Sequence, residues 1–353
     1  MTQYIAWISL DNRALACGEL ELLLDARIIT PTPKETAHEL SDNHVIFFDA
    51  EEKSESLFSR LAYTKLIAKV LDSSLMETVE RAKERFDFAD ADKTIKSYRV
   101  DFLNSMHDIS ELTAKHIFST VFRSIDKPKI SLKTPEAIFC TFIDEKKTLW
   151  VARQIWHNDY KYEQRKSHLR QRRHPAAMPP KLIRAMINLT GLRGKTGEIV
   201  CDPFCGTAGI LIEAMHCGFH VVGSDIELKM TNGAKINIKN EIAAAPELAK
   251  LCDPQTDIAR ESALIMMKKS DAIVTDVPYG KNTKKLKNPD LYRDFLNHVE
   301  RNKLAKRIVI CMPHFADGKA IIQQTKWNIL ASFALRVHNG LTREVFVIDI
   351  TQY

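Results

Sequence analysis

The sequence predicts an α/β protein organised around a parallel β-sheet, with a small α+β part ahead of it. Three apolar runs, each ending at a carboxylate, carry that prediction. Ile199–Cys201 runs into Asp202, Val221–Ser224 into Asp225, and the buried-strand pattern of Asp271–Val277 carries Asp276. Behind the first run come a turn with Gly206 and Gly209 and then apolar residues at helical spacing, Ile210, Leu211, Ala214 and Met215. Strand, tight turn and helix in that order form the first crossover of a parallel sheet, whose ligands bind outside the carboxyl ends of the strands.

The turn departs from a dinucleotide loop. Phe204 stands where the first glycine of G-x-G-x-x-G belongs, and Asp202 puts a negative charge close to where a pyrophosphate would lie. A carboxylate there suits a ligand with a cationic amino group, such as S-adenosylmethionine; capping of the next helix is its competing reading. Phe204, Cys205, Gly206, Thr207 and Gly209 are then the expected cofactor loop. Asp225, twenty-three residues after Asp202, has the spacing of an acid that binds ribose hydroxyls, with Ile226 beside it. Asp257 is expected to accept from the adenine amine, with Ile258 packed on the ring; a solvated loop aspartate is the alternative.

The third strand end reads Asp276-Val277-Pro278-Tyr279-Gly280. The Asp276 carboxylate and the Val277 carbonyl can accept both hydrogens of an exocyclic amine, which aims the nitrogen lone pair at a methyl donor. Tyr279 can stack on an extruded base. Positioning of this kind can supply roughly 7–11 kcal/mol of a barrier. A strand-terminating turn with a buried tyrosine is the bland reading.

D-P-F-C-G-T-A-G followed by D-V-P-Y-G resembles the Rossmann-fold amino-methyltransferases with a (D/N)-P-P-(Y/F) motif. Within them it is most similar to the THUMP-containing guanine-N2 methyltransferases that act on tRNA. Val277 departs from the usual proline, although Pro278 still confines it to extended backbone. The resemblance implies a seven-stranded, mostly parallel sheet ending in an antiparallel hairpin (Trp327–Val337 and Glu344–Ile350, joined through Asn339-Gly340). It implies S-adenosylmethionine as cofactor and N2 of a guanosine in tRNA, at position ten, as acceptor. It also implies a similar H-P-x-x-M-x-P segment, in which Met178 touches the cofactor. Another tRNA position, ribosomal RNA, DNA adenine and a binding-only relative are the rival readings. Some eukaryotic relatives need a small activating subunit, which leaves that partner open here, as the oligomeric state is.

At 353 residues the chain has room for about two domains. The expected division is 1–70, an N-terminal α+β element; 71–155, a THUMP-like RNA-binding domain; 156–173, a basic linker; and 174–353, the methyltransferase domain. Tyr4–Leu10 and His44–Phe48 alternate like strands and Gly18–Asp25 reads as a helix, with Pro31 and Pro33 as breakers between. Leu57, Leu61, Ala68 and Leu71 read as one helix face. Tyr98–Phe102 is strand-like, Ala114, Phe118, Val121 and Ile125 are helical, and two strands follow Lys133-Thr134-Pro135. That order is similar to the end of a THUMP domain.

From Arg153 to Arg173 the composition shifts: seven arginines and lysines stand against two acids, with Trp156, Tyr160 and Tyr162 interleaved. Arg165, Lys166, Arg170, Arg172 and Arg173, with a second cluster of Lys281, Lys284 and Lys285 after Tyr279, are the expected RNA contacts. A solvated linker is the alternative. Apolar content is 45% and no run approaches a membrane span of roughly 20 residues. Met1–Leu10 lacks the pattern of a signal peptide. The seven cysteines form no C-x-x-C pair, so no metal site is expected and a cytoplasmic, reduced protein is.

Overall fold

The computed structural model describes residues 1–29, 44–75, 95–103, 129–143, 148–175, 177–194, 197–279, 290–338 and 340–350. The chain divides into two compact units. One comprises Met1–Arg13, Leu24–Ser59 and Tyr63–Asn158; the other comprises Ala14–Leu23, Arg60–Ala62 and Asp159–Tyr353.

The first unit holds a mixed eight-stranded sheet in the order β2-β3-β1-β4-β8-β7-β5-β6. Its strands are β1 (Thr2–Ile8), β2 (Arg27–Ile28), β3 (Val45–Ala50), β4 (Thr64–Leu75), β5 (Ser97–Phe102), β6 (Lys129–Ile130), β7 (Ala137–Ile143) and β8 (Thr148–His157). The helix expected over Leu57–Leu71 is not formed. Glu52–Arg60 makes 3-10 turns, while Ala68 and Leu71 lie on β4, which pairs with β1 on one side and β8 on the other. Two ladders of backbone hydrogen bonds outweigh an apolar spacing that fits a helix equally well. Arg153 likewise belongs to β8, opposite Lys69, rather than to a linker. Pro31, Pro33 and the expected helix through Ala114, Phe118, Val121 and Ile125 fall outside the described residues.

In the second unit α1 (Arg13–Leu24) contributes Ala14–Leu23, longer than the sequence pattern indicated. Then come α2 (Pro180–Asn188), β9 (Ile199–Asp202), α3 (Gly209–His216), β10 (His220–Asp225), α4 (Leu228–Ala244), β11 (Ile258–Arg260) and β12 (Ala272–Asp276). The chain goes on through α5 (Asp290–Arg301), β13 (Arg307–Pro313), α6 (Gly318–Gln323), β14 (Asn328–His338) and β15 (Leu341–Asp349). Pro180 opens α2, where its missing N–H has no helical partner to lose.

The sheet order is β11-β10-β9-β12-β13-β15-β14, with β9 to β13 parallel and the β14–β15 hairpin antiparallel on one side. Ala272, Ile273, Val274 and Thr275 are fully buried, as a strand covered on both faces must be. The strand order reverses direction between β9 and β12, the switch point at which a parallel sheet opens a crevice. Asp202 and Asp276 end those two strands.

At Gly223 on β10 a Cβ would stand 2.6 Å from Leu211 Cδ1, 3.1 Å from Cys205 Cβ and 3.2 Å from the Asp202 carbonyl. Gly223→Ala therefore forces α3 and the Cys205 turn outward. The expected cost is about 1–3 kcal/mol, read as a lowered thermal midpoint; an unchanged midpoint would mean that Leu211 alone swings aside.

Candidate active site at the strand ends

The chain turns sharply after β9. Asp202 is 1% exposed, and its Oδ1 accepts from the Thr275 hydroxyl at 2.8 Å and from the Phe204 N–H at 3.1 Å. Burial pushes its carboxyl up to about 8; those two hydrogen bonds oppose the shift, and the charges of Asp225 and Asp276 add to it. Gly206 has φ +52°, and nothing lies within 4 Å of where its Cβ would stand. Its N–H donates to Asp225 Oδ2 at 3.0 Å, while the Glu227 N–H donates to Oδ1 at 2.9 Å. Burial also raises Asp225, a half-buried group. Ala208, just ahead of α3, is left-handed at φ 71°, an unfavourable conformation for alanine held by the surrounding turn. Cys205 is buried and its thiol is held far up, so it packs and does not react. Phe204 meets Phe295 edge-on at 5.3 Å. Thr207 is buried on the loop and Met178 is 5% exposed.

Two expected residues stand elsewhere. Asp257 precedes β11, whose Ile258 lies opposite Gly223, whereas Asp225 lies opposite Arg260 at the other end. Asp257 is therefore at the amino end of its strand, away from the ligand edge, and its Oδ2 accepts from the Asp253 N–H at 2.7 Å. Ile258 is 1% exposed and has no face for a ring. The carboxyl end of β11 instead brings Glu261 beside Asp225, its N–H donating to the Asp225 carbonyl at 3.1 Å, with Ser262 next. A strand of three residues gave too short a run to show which end faced the site. Ile226 is 66% exposed beyond Asp225, an open apolar surface.

At the end of β12 the Asp276 carboxylate sits in a cluster. The Tyr279 hydroxyl donates to Asp276 Oδ1 at 2.5 Å and lies 3.3 Å from Cys311 Sγ. Arg343, from β15 and 7% exposed, donates through Nε to the Tyr279 hydroxyl at 3.2 Å and places Nη2 3.7 Å from Asp276 Oδ2. Burial raises the Asp276 carboxyl, and Arg343, first among the opposing groups, pulls it back. Val277 is buried, and its N–H donates to the Cys311 carbonyl at 3.2 Å. A proline there could not donate that bond. Pro278 is exposed, and its carbonyl accepts from the Tyr292 hydroxyl at 2.8 Å. The loop is thus anchored on both sides without the usual proline. Among the described residues no group of three His, Cys, Asp or Glu could hold a metal ion.

A family model described as an RMKL-like methyltransferase domain matches residues 167–344, and a DNA methylase model matches residues 27–235. The tRNA (guanine(10)-N2)-dimethyltransferase of Methanothermobacter thermautotrophicus is 32% identical over 83% of this chain and 84% of its own. The chain belongs to that family. The enzyme of the same name from Methanocaldococcus jannaschii is 32% identical over 70% of this chain and 68% of its own. The crystal structure of TrmN from Thermus thermophilus covers 99% of both chains with a TM-score of 0.50 at 17% identity, a likeness of fold.

The basic segment of this family member divides in two. Arg165 turns inward to the fully buried Glu213, Nε–Oε1 2.7 Å and Nη2–Oε2 3.1 Å, and shares it with Arg184. Tyr160 lies under both guanidiniums, at 4.2 Å and 4.6 Å. Arg170 donates to the Arg165 carbonyl and is packed against Gly209. Arg172 and Arg173 have exposed side chains, and Lys166 pairs with Glu163. The buried Asn237, absent from the sequence reading, accepts from the Arg172 N–H at 3.0 Å and donates to the Arg172 and Thr207 carbonyls at 2.9 Å and 3.0 Å. It ties the basic segment to the turn between β9 and α3. Lys281, Lys284 and Lys285 fall outside the described residues.

Because the folded Asp202 carboxyl titrates far above its unfolded value, its contribution to stability is complete below about pH 4 and is lost as pH rises towards 8. Asp202→Asn keeps an acceptor for Thr275 and removes the titration. Its thermal midpoint is expected above wild type at pH 8, by at least about 1 kcal/mol, or roughly 2–4 °C, and the gap is expected to be smaller at pH 4.5. Melting curves at the two pH values check this; a pH-independent difference contradicts it.

Proposed function

We propose that this chain transfers a methyl group from S-adenosylmethionine to the exocyclic N2 amine of guanosine ten in tRNA, after that base leaves its stack. The observation that carries the reading is the half-buried Asp276 carboxylate at the switch point, one residue before the Val277 carbonyl and across the crevice from Asp202 and Asp225.

The donor set fits the cofactor. Asp202 offers a negative charge to an ammonium group, Asp225 stands at the strand end where ribose hydroxyls bind, and open space at Gly206 lets a ligand approach the backbone. When bound, S-adenosylmethionine supplies an electrophilic methyl on a sulfonium. The chain's own residues do the rest. Asp276 and the Val277 carbonyl accept the two amine hydrogens and orient the nitrogen lone pair. As the nitrogen gained the methyl, the S–C electron pair would remain on sulfur, and Asp276 would take the excess proton from nitrogen and pass it to solvent. Most of the acceleration comes from orientation. Tyr279 provides the ring on which a flipped base stacks.

The first unit, with residues 71–155 resembling a THUMP domain, is assigned to holding the tRNA, and Arg172 and Arg173 to its phosphates. Double replacement of Arg172 and Arg173 by Ala should lower the slope of log affinity against log salt by about 1–2 while leaving cofactor affinity unchanged. An unchanged slope returns the segment to structure alone.

The function is tested by incubating the protein with labelled S-adenosylmethionine and unmodified tRNA transcript, then analysing nucleosides by mass spectrometry. N2-methylguanosine at position ten is expected, with transfer by Asp276→Ala reduced at least about 100-fold and tRNA binding retained. Full activity in that variant contradicts the assignment. Because a DNA methylase model also matches the chain, DNA is tested in parallel, and N6-methyladenine there would replace the tRNA reading.

A further inference from the structure

The cluster around Asp276 contains a cation with no place in the motif at the strand end. Arg343 lies 64 positions beyond Tyr279 in sequence, on β15, and opposite Pro313 in the ladder to β13. Its guanidinium is buried, donates to the Tyr279 hydroxyl and faces Asp276 Oδ2 at 3.7 Å. Tyr279 in turn donates to Oδ1 of the same carboxylate. Each oxygen therefore has its own neighbour, one a cation and one a hydroxyl. Among the described residues, the other groups that face the carboxylate are Cys311 on β13, Tyr292 on α5, Asp202 on β9 and His174 from the segment before α2. Among these only Arg343 carries a permanent positive charge.

A carboxylate without a cation in this position would hold a proton more readily, because burial disfavours its charge. The protonated acid offers an amine a donor where it needs an acceptor. The Tyr279 hydroxyl already donates to Asp276 Oδ1, so a base whose amine uses that oxygen has to displace this hydrogen bond as it enters.

We propose that Arg343 is a positioning residue for methyl transfer, orienting Asp276 and keeping it in its charged, amine-accepting form, with the Tyr279 hydroxyl holding the carboxylate until the base arrives. This rests on the methyl-transfer reading given above. Arg343 acts through Asp276 and touches neither substrate nor cofactor in this account.

The test is the pH dependence of kcat in wild type, Arg343→Gln, Arg343→Lys and Tyr279→Phe, with Asp276→Ala as reference. Loss of the cation should move the acid limb of the profile of Arg343→Gln upward by about one pH unit or more. At neutral pH kcat should drop at least tenfold, with KM for tRNA and cofactor affinity within about twofold of wild type. Arg343→Lys, which keeps the charge, should restore the wild-type limb and part of kcat. Tyr279→Phe removes one donor from the carboxylate, leaves β15 intact and should move the limb the same way by a smaller step. It decides the question if Arg343→Gln does not fold. An acid limb that stays in place in folded Arg343→Gln, or in Tyr279→Phe where the former fails to fold, overturns the inference. If Asp276→Ala is itself fully active, the methyl-transfer reading fails first. If Asp276→Ala is inactive while Arg343→Gln keeps the wild-type limb, only the role of Arg343 falls.

Discussion

Three carboxylates gathered at the carboxyl edge of one parallel sheet are the constraint on which the rest of the catalytic unit depends. Asp202, Asp225 and Asp276 are each raised by burial, and the charges of Asp225 and Asp276 add to the shift at Asp202. Water would relieve that cost, and the fold withholds it from Asp202 and limits it at the other two. In place of water stand fixed donors: Thr275 and the Phe204 N–H for Asp202, the Gly206 and Glu227 N–H groups for Asp225, and Tyr279 with Arg343 for Asp276. Each donor comes from a strand end or a turn locked to one, so none has to reorganise when a cationic ligand arrives.

That arrangement explains why the neighbouring loops are tied down. Val277 extends the pairing of β12 with β13 through its N–H, a bond the more usual proline would forgo. Asn237 joins the turn after β9 to the backbone of Arg172. Ala208 is kept in a left-handed conformation that alanine disfavours, which places the start of α3 immediately behind Gly206.

Much of this was legible in the sequence because long apolar runs mark buried strands and show which end carries the acid. Asp202, Asp225 and Asp276 were found in that way, with the turn at Gly206. Asp257 was misplaced because β11 has only three residues and leaves no run to orient. Leu57 to Leu71 carried a spacing compatible with a helix, and only pairing with β1 and β8 decides for a strand at Ala68 and Leu71. Arg165 and Arg170 read as surface cations because nothing local announces that Glu213, 48 residues after Arg165, is buried and waiting for a partner. Arg343 was invisible for the same reason: its link to Asp276 exists only once β15 lies beside β13.

The central claim is that the strand-end carboxylates are held ready for a cationic cofactor at an energetic cost that its charge relieves. Titration calorimetry of S-adenosylmethionine binding at pH 6.5, in buffers of different ionisation heat, tests it directly. The account predicts that a proton is released on binding to the wild type, as the largely protonated Asp202 ionises against the ammonium group. It predicts that this release is absent from Asp202→Asn. Binding to the wild type without proton release would contradict it.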